Sequence, residues 1–180
     1  MLRIASLGSG SKGNSTLIDD GETRILIDLG FGLKEAKRRL SRLSIDPNDI
    51  DAILVTHEHA DHVHGVGAFA RKYGTAVYLT PGTYVLKKLG QLPALHKINC
   101  HLPFSINGYN IVPVAVPHDA KEPCQYVVNS GTYTVGILTD LGHITPHVAT
   151  SYQQCDALLL ECNHDLEMLS VGPYPYPLKQ

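Results

Sequence analysis

The sequence predicts an α/β fold in which two sheets are covered by helices. Three observations carry this expectation. Short runs rich in Val, Ile and Leu alternate with segments of helical period, strands dominate the opening before mixing with helices, and no repeat, low-complexity tract or linker interrupts the 180 residues. At 43% hydrophobic, the chain is long enough to bury roughly two-thirds of its surface as one domain over 1–180.

Leu2 to Leu7 and Arg24 to Asp28 read as the first strands, joined through a Gly-Ser loop and a turn at Asp19-Asp20-Gly21. From Leu33 to Leu43 the apolar residues Leu33, Ala36, Leu40 and Leu43 share one face and the basic residues the other, the pattern of a surface helix. Asp46-Pro47 turns the chain, and Ile53-Leu54-Val55 is the next strand. Val63 to Tyr73 reads as a second helix and Ala76 to Leu79 as a strand. Thr80-Pro81 has the form of an N-cap with proline at the first helical position. Strands containing Val112 and Ile137 follow, then a short helix near Thr145 to Gln154 and a buried strand from Ala157 to Leu160.

The chemistry concentrates at His57-Glu58-His59-Ala60-Asp61-His62, three imidazoles and a carboxylate directly after an apolar strand. A chain that turns there can aim His57 and His59 at one metal and Asp61 and His62 at a second. Neutral imidazole with carboxylate suits zinc, with manganese or iron as alternatives. One loop supplies too few ligands, and two other strand ends offer more: His118 after Ile111 to Pro117, and Asp140 after Tyr133 to Thr139. By itself Asp140 reads equally as a cap or turn residue before Gly142. His164 follows the strand ending at Leu160, which would bring it to the same edge as a catalytic acid or a substitute ligand.

Charge and cysteines exclude little. A formal net charge of −2 gives no overall basic signal, so any nucleic-acid binding has to rest on local patches and metals. The four cysteines show no CxxC spacing and suit reduced thiols, and no signal peptide or membrane span is visible, which together argue for a cytoplasmic protein. The glycine-rich opening Gly8 to Ser15 lacks the GK[ST] ending of a nucleotide-binding P-loop; it reads either as a turn or as a functional loop.

The pattern HEHADH, the strand-end His in Pro117-His118-Asp119 and Thr139-Asp140-Leu141-Gly142 resemble the metallo-β-lactamase superfamily, whose motif is HxHxDH. Ser6 to Ser15, Glu161-Cys162-Asn163-His164-Asp165 and Gly172 to Lys179 narrow the resemblance to the YycJ/WalJ-type branch of bacterial DNA exonucleases. The resemblance implies a four-layer αββα sandwich lacking its C-terminal portion, with metals at one sheet edge. It implies His57, His59 and His118 as first-metal ligands, Asp61 and His62 as second-metal ligands, and Asp140 as the carboxylate between them. Relatives continue to a further histidine beyond the Pro-Tyr-Pro segment, whereas this sequence stops at Gln180, so the second of two divalent ions (Zn or Mn) is expected to be held more weakly.

The activity so implied is hydrolysis of DNA phosphodiesters by a hydroxide activated between paired ions about 3.5–4 Å apart. Asp61 would orient the hydroxide, His164 would protonate the leaving oxygen, and Ser11, Lys12 and Asn14 of the opening loop would contact substrate phosphate. Two further readings stay open. One is hydrolysis of a lactone, thioester or cyclic phosphodiester by the same site, and the other is a zinc-binding remnant without catalysis.

Overall fold

In a computed structural model, the described residues are 2–161 and 171–173. They run β1 (Arg3–Gly8), β2 (Ser15–Asp19), β3 (Arg24–Ile27), α1 (Leu33–Ser41), β4 (Ala52–Leu54), α2 (Ala60–Val63), α3 (Val66–Tyr73), β5 (Ala76–Leu79), α4 (Leu86–Leu89), β6 (Leu95–Lys97), β7 (Phe104–Ile106), β8 (Tyr109–Ala115), β9 (Cys124–Asn129), β10 (Thr134–Leu138), α5 (Pro146–Tyr152) and β11 (Ala157–Leu160). The strands form two sheets, ordered β1-β2-β3-β4-β5-β6 and β11-β10-β9-β8-β7. In the first, β3 to β6 run parallel and β1 and β2 are antiparallel additions. In the second, α5 serves as the crossover that a parallel β10–β11 pair requires, and the remaining pairs are antiparallel.

Strand alternation distributes the apolar residues over three cores. In β2, β3 and β4, Leu17, Leu26 and Ile53 point to one face, where they pack with Ala36 and Leu40 of α1 and Phe69 and Ala70 of α3. Their neighbours Ile18, Ile25, Ile27, Ala52 and Leu54 point to the other face and meet Ile111, Tyr126, Val128 and Ile137 of the second sheet. On that sheet's outer face, Val114, Val127 and Leu138 pack under Val148 and Tyr152 of α5. Strands buried on both faces read as continuous apolar runs, which is why β3 and β4 show no polar alternation. The layers are therefore helix, sheet, sheet, helix, the αββα sandwich expected from the sequence.

Several elements depart from the sequence expectations. β2, β6, β7 and β9 had not been anticipated: β9 carries Gln125 and Asn129 within Cys124–Asn129, and β6 and β7 are only three residues each. The expected helix from Val63 to Tyr73 is split into α2 and α3 at Gly65, whose N–H bonds to Leu29 O at 2.8 Å. No helix starts at Thr80-Pro81. The Thr80 and Thr83 hydroxyls both donate to Glu122 O, at 2.8 and 3.3 Å, so the segment forms a turn and α4 begins only at Leu86. Finally, β11 lies at the edge of its sheet among the described residues and is not buried, with Leu158 44% and Leu160 43% exposed.

Candidate metal centre

Two parallel neighbours, β3 and β4, end side by side, and the chain beyond each carries the site. After β3, Asp28 adopts a left-handed conformation with φ of 59° and is almost fully buried. Its carboxylate accepts from the Thr56 N–H and the Thr56 hydroxyl, each at 2.8 Å, and lies 2.8 Å from His62 Nδ1. These contacts turn His62 Nε2 outward, 3.1 Å from Asp140 Oδ2. Sequence reading had taken Asp28 only as the last residue of a strand. The available signal was its place at the end of a strand adjacent to the one that feeds His57.

Two sets of donors converge here. His57, His59 and His118 form one, and His57, His62 and Asp140 the other, the ligand atoms within each set lying within 4.8 Å of one another. The rings of His57, His59 and His118 stand roughly edge to face, with centroids 4.5 to 5.0 Å apart. His57 Nδ1 lies 2.9 Å from the Thr56 hydroxyl, whereas its Nε2 is buried with no hydrogen-bond partner among the described residues. Such an orphaned imidazole nitrogen, facing other imidazoles, fits a soft-to-borderline cation and leaves a buried polar atom unsatisfied without one.

The electrostatics of His57 and His118 agree with that fit. Burial, reinforced by the charges of His62 and His118, pushes the His57 pKa well below the ordinary histidine value. Burial likewise lowers His118. Both rings are thus neutral at pH 7 with a lone pair to offer. His62 moves the other way: burial lowers its pKa, but Asp28 and Asp140 outweigh burial and raise it to about 10. For Asp140, burial acts upward and is outweighed by the hydrogen bond and charge of His62, so its pKa falls below the carboxylate norm.

Around these groups, three chain segments are stitched together. Asn14 N–H bonds to Asp61 O at 2.7 Å and Gly30 N–H to Asn14 O at 2.9 Å; a Cβ on Gly30 would lie 1.8 Å from Asp61 O, so only glycine fits. The Asn14 amide donates to Asp61 Oδ2 at 3.1 Å and lies 3.0 Å from His62 Nε2. Asp61 Oδ2 is 3.6 Å from His62 Nε2, beside the second donor set and outside it. The Asp140 turn, itself left-handed with φ of 49°, is fixed by Glu161, which accepts its N–H at 2.7 Å, and by Gln125, which donates to Thr139 O.

Of the residues singled out from sequence, His57, His59, His62, His118 and Asp140 meet, with Asp61 and Asn14 beside them. Ser11 and Lys12 are exposed on the turn preceding Asn14. His164 lies outside the described residues. Among those residues, no helix is long and apolar enough to cross a membrane.

A β-lactamase superfamily domain matches residues 23–175. The chain is 36% identical to "Exodeoxyribonuclease WalJ" of Streptococcus pneumoniae, over 99% of its own length and 68% of that protein. It is 32% identical to "Exodeoxyribonuclease YycJ" of Bacillus anthracis, over 99% of its length and 69% of the relative. Among solved structures, Zn(2+)-bound PqqB from Methylobacterium extorquens superposes with a TM-score of 0.75 at 17% identity, covering 96% of this chain and 77% of that one. The helix–sheet–sheet–helix layering, the donor sets at one sheet edge and these similarities make the chain a member of the metallo-β-lactamase superfamily, in the branch that contains WalJ and YycJ.

Proposed function

We propose that this chain is a metal-dependent phosphodiesterase, a nuclease of exonuclease type acting on DNA. The observation that carries the reading is the convergence of His57, His59, His118, His62 and Asp140 at one sheet edge, in a chain so similar to two named exodeoxyribonucleases. His57, His59 and His118 would hold one divalent ion; Asp61 and His62 would hold a second, with Asp140 between them. Zinc or manganese bound there would supply the charge that acidifies a water and steadies phosphoryl oxygens.

The protein's own groups do the rest. Asp61, its Oδ2 anchored by the Asn14 amide, would orient the attacking water and take its proton. Asp28 and Thr56 hold His62 in one rotamer, so Nε2 keeps its aim throughout turnover. His164 is the proposed donor to the leaving oxygen. Exposed Ser11 and Lys12 lie on the same loop as Asn14, where they can contact the phosphate backbone. A cytoplasmic location accompanies this reading, supported by free Cys100, Cys124 and Cys155 among the described residues.

Elemental analysis of protein purified without chelators is expected to find a transition metal, and labelled DNA oligonucleotides are expected to release nucleotides. Absence of metal after purification and after adding zinc or manganese would refute the site. Turnover of a lactone or thioester panel without DNA cleavage would replace the substrate.

A further inference from the structure

Glu58, inside the HEHADH segment, is not among the candidate ligands, and yet the residue is only 9% exposed. Its Oε1 accepts the Lys121 backbone N–H at 3.1 Å, while Oε2 is buried with no hydrogen-bond partner among the described residues. Its main-chain oxygen is taken by the Lys88 ammonium of α4 at 2.7 Å. A carboxylate held by one amide is an expensive way to fill buried space, since burial strips its water without restoring all of its hydrogen bonds.

The partner explains the placement. Lys121 belongs to the connection between β8 and β9, the segment that carries His118. Few main-chain bonds tie that connection down: Ala120 N–H to His118 O at 2.8 Å closes its own turn, and Gly142 N–H reaches Pro117 O at 2.9 Å. Val116 N–H to Pro123 O at 3.4 Å and Cys124 N–H to Thr56 O at 3.0 Å close its two ends, and two glutamates anchor the stretch between them. Glu122 accepts the Gly82 N–H at 2.6 Å through its carboxylate and the Thr80 hydroxyl at 2.8 Å through its main-chain oxygen. Glu58 does the equivalent from the metal loop, so one residue between His57 and His59 grips the loop of His118. The first donor set comes from two segments distant in sequence, and Glu58 bridges them alongside the 3.3 Å contact between His118 Nε2 and His59 Nδ1.

We infer that Glu58 is a positioning residue, which fixes His118 against His57 and His59 by holding the Lys121 amide. The inference rests on the metal site proposed above. What matters in it is an acceptor oxygen at the reach of a glutamate; the charge is secondary.

Zinc titration of the apo-protein by calorimetry, with Glu58→Gln and Glu58→Asp, separates the alternatives. Gln keeps the oxygen and the reach, whereas Asp keeps the charge and is one methylene short. Glu58→Asp is expected to weaken the tighter zinc binding about 10- to 100-fold and Glu58→Gln no more than about threefold, the range typical of groups that orient metal ligands. Apo-protein melting temperatures are expected to rank differently from the affinities, which a merely structural role would not produce. Weak binding by Glu58→Gln with intact binding by Glu58→Asp overturns positioning in favour of charge, and wild-type affinity in both variants overturns it outright. No zinc binding by the wild type would remove the metal site and the inference together. Independently of any variant, the Lys121 amide of the wild-type apo-protein is expected to exchange slowly with solvent, and rapid exchange overturns the inference.

Discussion

His62 Nδ1 and Asp28 Oδ2 lie 2.8 Å apart, both almost wholly buried, at the ends of chain segments that are 34 residues apart in sequence. The pair fixes which ring nitrogen of His62 faces the other donors. A carboxylate behind an imidazole orients the ring and raises its basicity, so Asp28 acts on any ion through His62 without touching it.

Replacing Asp28 by Ala is expected to lower the affinity of the His57–His62–Asp140 donor set about 10- to 100-fold. Calorimetric titration of zinc or manganese into apo-protein measures this, and unchanged binding would show that Thr56 alone orients the ring. Asp28→Asn is expected to lie between, because an amide oxygen can still accept from Nδ1 but carries no charge.

The same pair sets a pH dependence. Folded apo-protein keeps the His62 proton up to about 10, whereas the unfolded chain releases it near the ordinary histidine value of 6.5. Below that lower value both states are protonated and the stabilisation is complete; across the window the folded state holds the extra proton, so stability falls as pH rises. Thermal melts of the apo-protein over this range are expected to decline, and Asp28→Ala to flatten the decline. Metal must displace the same proton, so zinc affinity is expected to increase with pH in that window. Proton release is measurable by repeating the titration in buffers of different ionisation enthalpy.

Asp61→Ala and Asp140→Asn are expected to leave far-ultraviolet circular dichroism unchanged while lowering phosphodiester turnover about 100-fold or more, equal to about 3 kcal/mol of barrier. Asn is chosen at 140 because it tolerates the left-handed backbone there. Activity within a few-fold of wild type in either variant would remove that carboxylate from the mechanism.

Gly30→Ala places a methyl in the path of Asp61 O, and the Asn14–Gly30–Asp61 stitching has to open to admit it. Overpacking of this kind is expected to cost about 1–3 kcal/mol, read as a lowered melting temperature or denaturant midpoint. Because the displaced segment carries Asp61 and His62, metal affinity is expected to fall as well. Unaltered stability would mean that the segment adjusts freely.

Much of this architecture is legible in the chain because periodicity and ligand clustering are local properties. Ala76 to Leu79 matches β5, and Leu33 to Leu43 contains α1, since each advertises its buried face within a few residues. The HEHADH run and the strand-end positions of His118 and Asp140 likewise need no tertiary information. Asp28 and Glu58 were illegible for the opposite reason. An aspartate at a strand end and a glutamate between two histidines look ordinary until the fold brings Thr56, His62 and Lys121 against them. β9 was missed because its Gln125 and Asn129 are polar: Gln125 is buried for its hydrogen bond to Thr139 O, a requirement set by the Asp140 turn and absent from the local sequence.

Asp28 and Asp140 share a backbone geometry that glycine would occupy at ease. A carboxylate in that geometry stores about 1 kcal/mol or more, and the chain retains it twice, at the two acids that organise His62. Removing either carboxylate would relieve that backbone strain but would also strip His62 of a partner that holds its proton, so the strained geometry is retained where the acid stabilises the folded chain. The two acids that shape the second donor set thus also fasten the fold before any ion arrives, and local backbone strain accompanies both roles.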